Sequence, residues 1–186
     1  MRTLLVAASV LCLAACAGMT SSNPSATTTL RPTQGNTAAG SVTFTQQGDK
    51  VRVAANVTGL TPGLHGFHVH TKGDCSAPDA KSAGGHFNPH GNHHGDVQAA
   101  DRHAGDLGNL TADKNGNATV DIAVEGLSVA PGAPNSVVGL AVVVHANPDD
   151  LKAQPIGNSG PGVACGTIAA VPGAAGDTSR SRSSYY

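Results

Sequence analysis

The sequence predicts an all-β domain, a sandwich or a barrel, because its apolar segments are short and several alternate with a period of two. "SVTFT" and "VRVAANV", joined by the turn "QQGDK", show this alternation and predict an antiparallel hairpin. "NGNATVDIAV" repeats it after an Asn-Gly turn. "SVVGLAVVVHA" and "VACGTIAA" are short apolar runs typical of buried strands, and the chain beyond its leader keeps no helical period.

Length and charge indicate one acidic domain. The 186 residues hold one block of core-forming sequence, with no Trp and three Phe, so the core must consist mainly of Val, Ala, Leu and Ile. Between residues 40 and 170 there are 7 basic and 11 acidic side chains, a net charge of −4 with neutral histidines. A negative domain repels phosphates, so we expect no nucleic-acid partner.

The first 15 residues are predicted to be a lipoprotein signal peptide. Arg2 precedes the apolar run "LLVAASVLCLAA", which is too short to span a bilayer and closes on "LAAC". A small-residue pair directly before Cys16 resembles a bacterial lipoprotein cleavage box, which would leave Cys16 as the lipidated first residue; an ordinary signal peptide is the alternative. We therefore expect a lipid-anchored protein of the periplasm or cell envelope. In a Gram-negative cell the outer membrane is expected, because Ala17 is not acidic.

Two segments are predicted to flank the folded domain, which we place at residues 40–170. The stretch "SSNPSATTTLRPTQGNTAAG" is rich in Ser, Thr and Pro, and it predicts a flexible tether over residues 16–39. The tail "VPGAAGDTSRSRSSYY", residues 171–186, offers no core residues and is predicted to be disordered.

Cysteine usage predicts one disulfide. Two of the four cysteines lie at or before the cleavage box, which leaves Cys75 and Cys165 in a compartment that permits disulfides. We expect these two to pair, although two buried free thiols would also satisfy the count. A bridge that closes about 90 residues would stabilise the fold by roughly 4 to 5 kcal/mol on the chain-entropy model.

Strand geometry gives the first pair of histidines a shared direction. In "GFHVHT" the side chains of His68 and His70 point to one face of a strand, whereas Phe67 and Val69 point to the other face, toward the core. Two imidazoles that project side by side from a rigid strand predict a metal-binding role.

The segment "SAGGHFNPHGNHHGDVQAADRHAGDLGN" has five histidines within 18 positions and no apolar period, so it is predicted to be a long functional loop. His86, His94, His103 and Asp106 follow one another at intervals of 8, 9 and 3. Three imidazoles and a carboxylate are the ligand count of a closed tetrahedral zinc site. His145, at the end of "VVVHA", is a further candidate ligand. Ligand type alone leaves Zn(II) and Cu(II) both open.

Six motifs, in this order along the chain, resemble those of the copper/zinc superoxide dismutases of the exported bacterial lipoprotein type: "GLHGFHVH", "GDCSAP", "AGGHFNP", "RHAGDLGNLTADKNG", "VVVHANPDDL" and "GNSGPGVACGTI". The resemblance covers about residues 40 to 170. It implies a Greek-key antiparallel sandwich or flattened barrel with long metal-binding loops. It also implies one copper and one zinc per subunit, and dismutation of superoxide to O2 and H2O2 by the copper centre, which would protect the cell envelope. Both a monomer and a homodimer are compatible with it.

The resemblance assigns roles position by position. It implies that copper is bound, and the reaction catalysed, by His68, His70, His86 and His145. It implies that zinc is bound by His86, His94, His103 and Asp106. His86 would join the metals as an imidazolate and carry a proton to the second superoxide. Asp149 would link a copper-ligand and a zinc-ligand histidine from behind the rings. Cys75 and Cys165 match the family's disulfide.

Three histidines stay outside these sets. His65 matches a structural position in the family, a buried donor to the backbone. His90 and His93 match nothing and fit solvated loop residues. His93 could also compete with its neighbour His94 for zinc, and we assign His94 from its spacing.

One position departs from the family. Where the family carries an arginine beside copper, this chain has Gly162. A cation there attracts and orients an anion, so its loss predicts slower catalysis with unchanged metal binding. Lys152, on a short loop that the resemblance places near the channel to copper, is a candidate replacement. The alternative function is therefore a periplasmic copper- and zinc-binding module with weak or no catalysis.

Overall fold

The computed structural model describes residues 23–172, and within this range the regular structure is nine β-strands and one 3-10 turn. The predicted all-β class is confirmed. The strands are β1 (Ser25–Pro32), β2 (Ala39–Gln47), β3 (Lys50–Thr58), β4 (Gly63–His70), β5 (Asp106–Ala112), β6 (Ala118–Val124), β7 (Ala141–His145), β8 (Gly162–Thr167) and β9 (Ala169–Ala170), and the turn is Lys81–Ala83.

The strands form a nearly closed, flattened antiparallel barrel. Their order is β5-β4-β7-β8-β1-β2-β3-β6, with β9 added beside β1. β1 belongs to both halves, because residues 25–30 pair with β2 while Arg31 and Pro32 pair with β8. β5 and β6, at the two ends of this order, are joined by a tight turn in which the N–H of Asp113 donates to the carbonyl of Asn117 at 2.9 Å. The pairs β3–β6, β4–β7 and β1–β8 join strands that are not consecutive, as a Greek key requires.

The predicted hairpin is present as β2 and β3. Phe44 lies opposite Val53, and both side chains are fully buried. Val51 and Val57 share their parity with Val53 and are also fully buried. The period of two in the sequence therefore reports the inward face of this hairpin.

Strand β1 shows that the predicted flexible tether was wrong over residues 25–39. Ala26 and Leu30 are 0% and 1% exposed, and the backbone of β1 pairs with β2 over six residues. A run of threonines is typical of a strand whose alternate residues face water. The alternation is not apparent from the sequence of β1 because Ser and Thr occupy both inward and outward positions. The folded domain begins near Ser25. The predicted signal peptide and Cys16 lie outside the described residues.

The C-terminal boundary lies slightly later than predicted. The N–H of Val171 donates to the carbonyl of Ser25 at 2.9 Å, so residue 171 is still held by β1. The remainder of the predicted tail, from residue 173 onward, lies outside the described residues. Within residues 23–172 no helix is long and apolar enough to cross a membrane.

The core is built largely from valines, with Phe44 and Phe67 as its largest side chains. The predicted disulfide is confirmed: Cys75 and Cys165 are joined, 90 residues apart in sequence. The bridge ties the loop after β4 to β8, beside a small second cluster of apolar side chains that includes Ala80 and Val143.

Candidate metal centre

Strand β4 aims its two histidines away from the core, as predicted. Phe67 and Val69 are fully buried within the main core cluster. His68 and His70 alternate with them and are 0% and 6% exposed on the other face. β4 lies between β5 and β7, so both imidazoles are fixed to a strand that is hydrogen-bonded on each side.

The first predicted set of ligands comes together around this strand. Its donor nitrogens all lie within 4.8 Å of one another and belong to buried residues: His68, His70, His86 and His145. His86 lies in the long loop, where an isolated β-bridge pairs its backbone with that of His70. His145 is the last residue of the neighbouring strand β7.

Backbone carbonyls fix two of these rings. His70 Nδ1 lies 2.7 Å from the carbonyl oxygen of Gly84, and His145 Nδ1 lies 2.9 Å from that of Gly160. A neutral ring that donates through Nδ1 has only a lone pair at Nε2. The two Nε2 atoms nevertheless face each other at 3.2 Å. Two converging lone pairs suit a cation held between them.

The second predicted set surrounds Asp106, the first residue of β5. The set is His86, His94, His103 and Asp106, again with donor atoms within 4.8 Å. The carboxylate of Asp106 lies 2.8 Å from His86 Nδ1, 3.1 Å from His94 Nδ1 and 3.4 Å from His103 Nδ1. Backbone N–H groups of Gly95 and His103 donate to its Oδ2 and hold it in place. Three imidazoles and one carboxylate around one point are a ligand set that could hold a zinc ion.

Several buried polar atoms here have no hydrogen-bond partner: both ring nitrogens of His68 and of His94, Nδ1 of His103 and Oδ2 of Asp149. A buried polar group left unpaired costs about 1 to 3 kcal/mol. Metal ligation would satisfy the lone pair on each ring, so the residues fit a pair of metal ions. His86 belongs to both sets and is the residue that can join them.

Asp149 lies behind the two sets, where the family resemblance places it. Its Oδ2 is 3.2 Å from His68 Nε2 and 3.3 Å from His94 Nε2, which are the distances of an ion-pair contact. Neither contact has the geometry of a hydrogen bond. One carboxylate therefore contacts one histidine from each set.

Burial keeps three histidines of the first set neutral. It lowers the pKa of His70 to about 3 and that of His145 to about 4, and it lowers the pKa of His68 well below its usual value; neighbouring imidazoles add to each effect. Neutral imidazole is the form that binds a metal ion. These side chains are therefore ready to ligate at neutral pH.

The metal-free protein is expected to lose stability as the pH falls from 6.5 toward about 4. In that window the unfolded chain protonates His70 and His145 at their usual pKa of 6.5, whereas the folded chain keeps them neutral. Each histidine therefore lowers the free energy of unfolding by up to about 1.4 kcal/mol per pH unit, and by nothing above this window. Urea unfolding of the metal-free chain across the window measures the slope. A stability that does not change between neutral pH and pH of about 5 would contradict the assignment.

The remaining histidines lie outside both sets. His65 is 3% exposed, with Nδ1 2.7 Å from the carbonyl oxygen of His145 and Nε2 2.8 Å from that of Thr61, which fits the predicted structural position. His93 is exposed and its Nδ1 lies 2.8 Å from the carboxylate of Asp101. The structure thus brings His94, and not His93, into the second set.

Gln154 contributes to the site and was missed by sequence reasoning. Its Oε1 accepts from the N–H of His94 at 2.9 Å, and its Nε2 donates to the carbonyl of His94 at 2.7 Å. The two residues are 60 positions apart, and no local pattern links an amide to such a partner. This clamp fixes the backbone of one ligand in the second set.

The position that departs from the family is tightly enclosed. Gly162 begins β8, and a Cβ there would lie 2.8 Å from both the Cβ of Ala80 and Cγ1 of Val143. Ala80 itself has a φ of 62°, a left-handed conformation that is costly for a residue with a side chain. The loop after Cys75 therefore fills the space where an arginine side chain would start. Lys152 is exposed, and its N–H binds the carboxylate of Asp150 at 3.1 Å.

Comparison with known proteins agrees with this geometry. A family model described as copper/zinc superoxide dismutase matches residues 38–168, well over half of the chain. A crystal structure of the clock protein EA4 is 40% identical, with a TM-score of 0.71, over 82% of this chain and 97% of that chain. From its fold, its two clusters of ligands and this match, the chain belongs to the copper/zinc superoxide dismutase family.

Proposed function

We propose that this protein dismutates superoxide to O2 and H2O2 in the cell envelope, with a copper centre and a structural zinc. The observation that supports the proposal is the pair of buried ligand sets that share His86. The similar crystal structure is that of a clock protein, so the fold alone is not evidence for the activity. The two ligand sets are what support it.

The family is named for copper and zinc, and the difference in ligand chemistry between the two sets supports which set takes which metal. Four imidazoles and no carboxylate suit Cu(II), so copper is assigned to the set of His68, His70, His86 and His145. The set that includes Asp106 is assigned to zinc. A copper ion in the first set would supply the redox chemistry, taking an electron from one superoxide and giving an electron to a second, which becomes H2O2 with two protons.

The protein itself positions and supplies a proton in this scheme. His86 Nδ1 is held at 2.8 Å from Asp106, which leaves Nε2 as the atom that faces the first set. Nε2 of His86 is therefore the proposed site that takes up a proton and delivers it to the second superoxide.

The test combines metal analysis with superoxide decay. One copper and one zinc per chain, together with decay that depends on the copper, support the proposal. Bound metals with no decay would replace it with the alternative, a metal-binding module of the same fold.

The proposed enzyme lacks the family's arginine, and restoring it is expected to speed the reaction. Gly162→Arg alone would collide with both Ala80 and Val143, so the variant to make is Ala80→Gly/Val143→Ala/Gly162→Arg. It removes both obstructing side-chain groups and relieves the left-handed backbone at residue 80. A guanidinium beside the first set would attract the anion and raise the rate about tenfold or more at low salt. The measurement is the rate of superoxide decay at several salt concentrations.

The control for this variant is Ala80→Gly/Val143→Ala/Gly162→Gln, which adds a long side chain without charge at the same position. Equal rates in the Arg and Gln variants would show that the anion is guided by other groups, among which Lys152 is the first to replace by alanine.

The membrane location is a separate proposal. We propose that Cys16 carries the lipid that anchors the domain, because the sequence around it resembles a lipoprotein cleavage box. In cells that express the full chain, Cys16→Ser is expected to move the protein from the membrane fraction to the soluble fraction. Retention of that variant in the membrane would contradict the anchor.

A further inference from the structure

The carboxylate of Asp149 is buried but only partly fixed. Its backbone is held by Asn109, whose Oδ1 accepts from the Asp149 N–H at 2.7 Å and whose Nδ2 donates to the Asp149 carbonyl at 3.1 Å. These bonds leave the side-chain torsions free, and the last torsion of an aspartate is intrinsically broad. Another group must fix the rotation of the carboxylate that turns one oxygen toward His68 and His94.

Ser159 is placed to do this. Its Oγ donates to Asp149 Oδ1 at 3.0 Å, and the serine is only 6% exposed. Two glycines make room for the contact: a Cβ at Gly66 would lie 2.6 Å from the Ser159 hydroxyl, and a Cβ at Gly157 would overlap Asp149 Oδ1. Within residues 23–172 this hydroxyl is the one hydrogen-bond donor to Oδ1. Three segments of the chain, at Gly66, at Asp149 and at residues 157–159, thus meet around Asp149 Oδ1.

We propose that Ser159 is a positioning residue that orients the carboxylate of Asp149 and thereby the histidines that it contacts. With Oδ1 occupied by the hydroxyl, Oδ2 is directed to Nε2 of His68 and of His94. A proton on each Nε2 is then favoured, and each ring keeps its Nδ1 lone pair for ligation. His70 and His145, whose Nδ1 atoms face carbonyls, would ligate through Nε2 instead.

This inference depends on the proposed function, and it predicts a metal effect of Ser159→Ala. The substitution removes one oxygen atom and leaves Asp149 Oδ1 without a donor. We expect the affinity for zinc, measured by competition with a chromophoric chelator, to fall about 10- to 100-fold. We also expect the visible spectrum of Co(II) bound in the zinc position to shift, because that spectrum reports how His94 is held.

The control is Ser136→Ala. Ser136 is also buried, at 9% exposure, but its hydroxyl accepts from the N–H of Val138 and touches neither ligand set. A double-mutant cycle with Asp149→Asn separates positioning from general loosening of the fold. If Ser159 acts through Asp149, Ser159→Ala changes zinc affinity less than about twofold in the Asp149→Asn background. Ser159→Thr, which keeps the hydroxyl, should stay closer to the original chain than Ser159→Ala does.

Three outcomes overturn the inference in distinguishable ways. If Ser159→Ala and Ser136→Ala bind zinc and Co(II) as the original chain does, the positioning role is wrong and the proposed function stands. If Ser159→Ala is weaker by the same factor in both backgrounds, the serine acts on the fold and not through Asp149. Failure of the original chain to bind zinc or Co(II) would overturn the proposed function together with the inference.

Discussion

Replacing His145 by alanine is expected to lower copper affinity at least about a hundredfold while zinc binding changes little. His145 belongs only to the first ligand set, and its Nε2 lies 3.2 Å from that of His70. Removing a direct ligand should cost more than the 10- to 100-fold typical of residues that support a ligand. The measurement is copper and zinc content after dialysis against a chelator of known affinity, with the electron paramagnetic resonance spectrum of any Cu(II) that remains.

His93→Ala is the matched control, because His93 is an exposed histidine paired with Asp101 and lies outside both sets. It should bind both metals as the original chain does. Equal loss of zinc and copper in His145→Ala would contradict the assignment, since it would mean that the variant had disturbed the fold rather than one metal position.

Loss of the disulfide is expected to have the largest effect on stability. The bond between Cys75 and Cys165 closes a segment of 90 residues, for which the chain-entropy model gives roughly 4 to 5 kcal/mol. For a single domain of marginal stability that is a large share of the total. Urea unfolding of Cys75→Ser/Cys165→Ser, compared with the oxidised chain, measures the difference.

The same substitution should weaken copper binding. The loop that begins at Cys75 carries Gly84, whose carbonyl fixes the ring of His70. Chemical reduction of the original chain is the control and should reproduce both effects. A loss of less than about 1 kcal/mol, or unchanged copper affinity, would show that the loop is held in place without the bridge.

The fold could be predicted wherever alternation was visible in the sequence. The hairpin of β2 and β3 was found because its valines repeat with a period of two and all face the core. β1 was missed because threonine occupies several of its positions, so its inward residues Ala26 and Leu30 do not form an obvious stripe. Its pairing with β2 and β8 is a long-range property that composition does not encode.

The residues of the candidate site likewise fall into two groups, those that the sequence predicts and those that only the folded chain reveals. Ligands could be predicted because the histidines cluster in short stretches and imidazole is a chemically specific metal ligand, and because the family motifs around them are intact. Gln154, Ser159 and Ala80 could not, because each acts on a residue from another segment by a hydrogen bond or by filling space. Such roles follow from proximity in the folded chain rather than from spacing along it.

The central claim is that the two ligand sets, which have His86 in common, form a working dismutase. Stopped-flow measurement of superoxide decay tests this claim most directly. Two forms of the same chain are compared, one with copper and zinc and one with zinc in both positions. We expect a second-order rate that is proportional to bound copper, absent from the form with zinc alone and abolished by His145→Ala. Superoxide decay no faster with the copper form than with the zinc form, at confirmed metal content, would contradict the account.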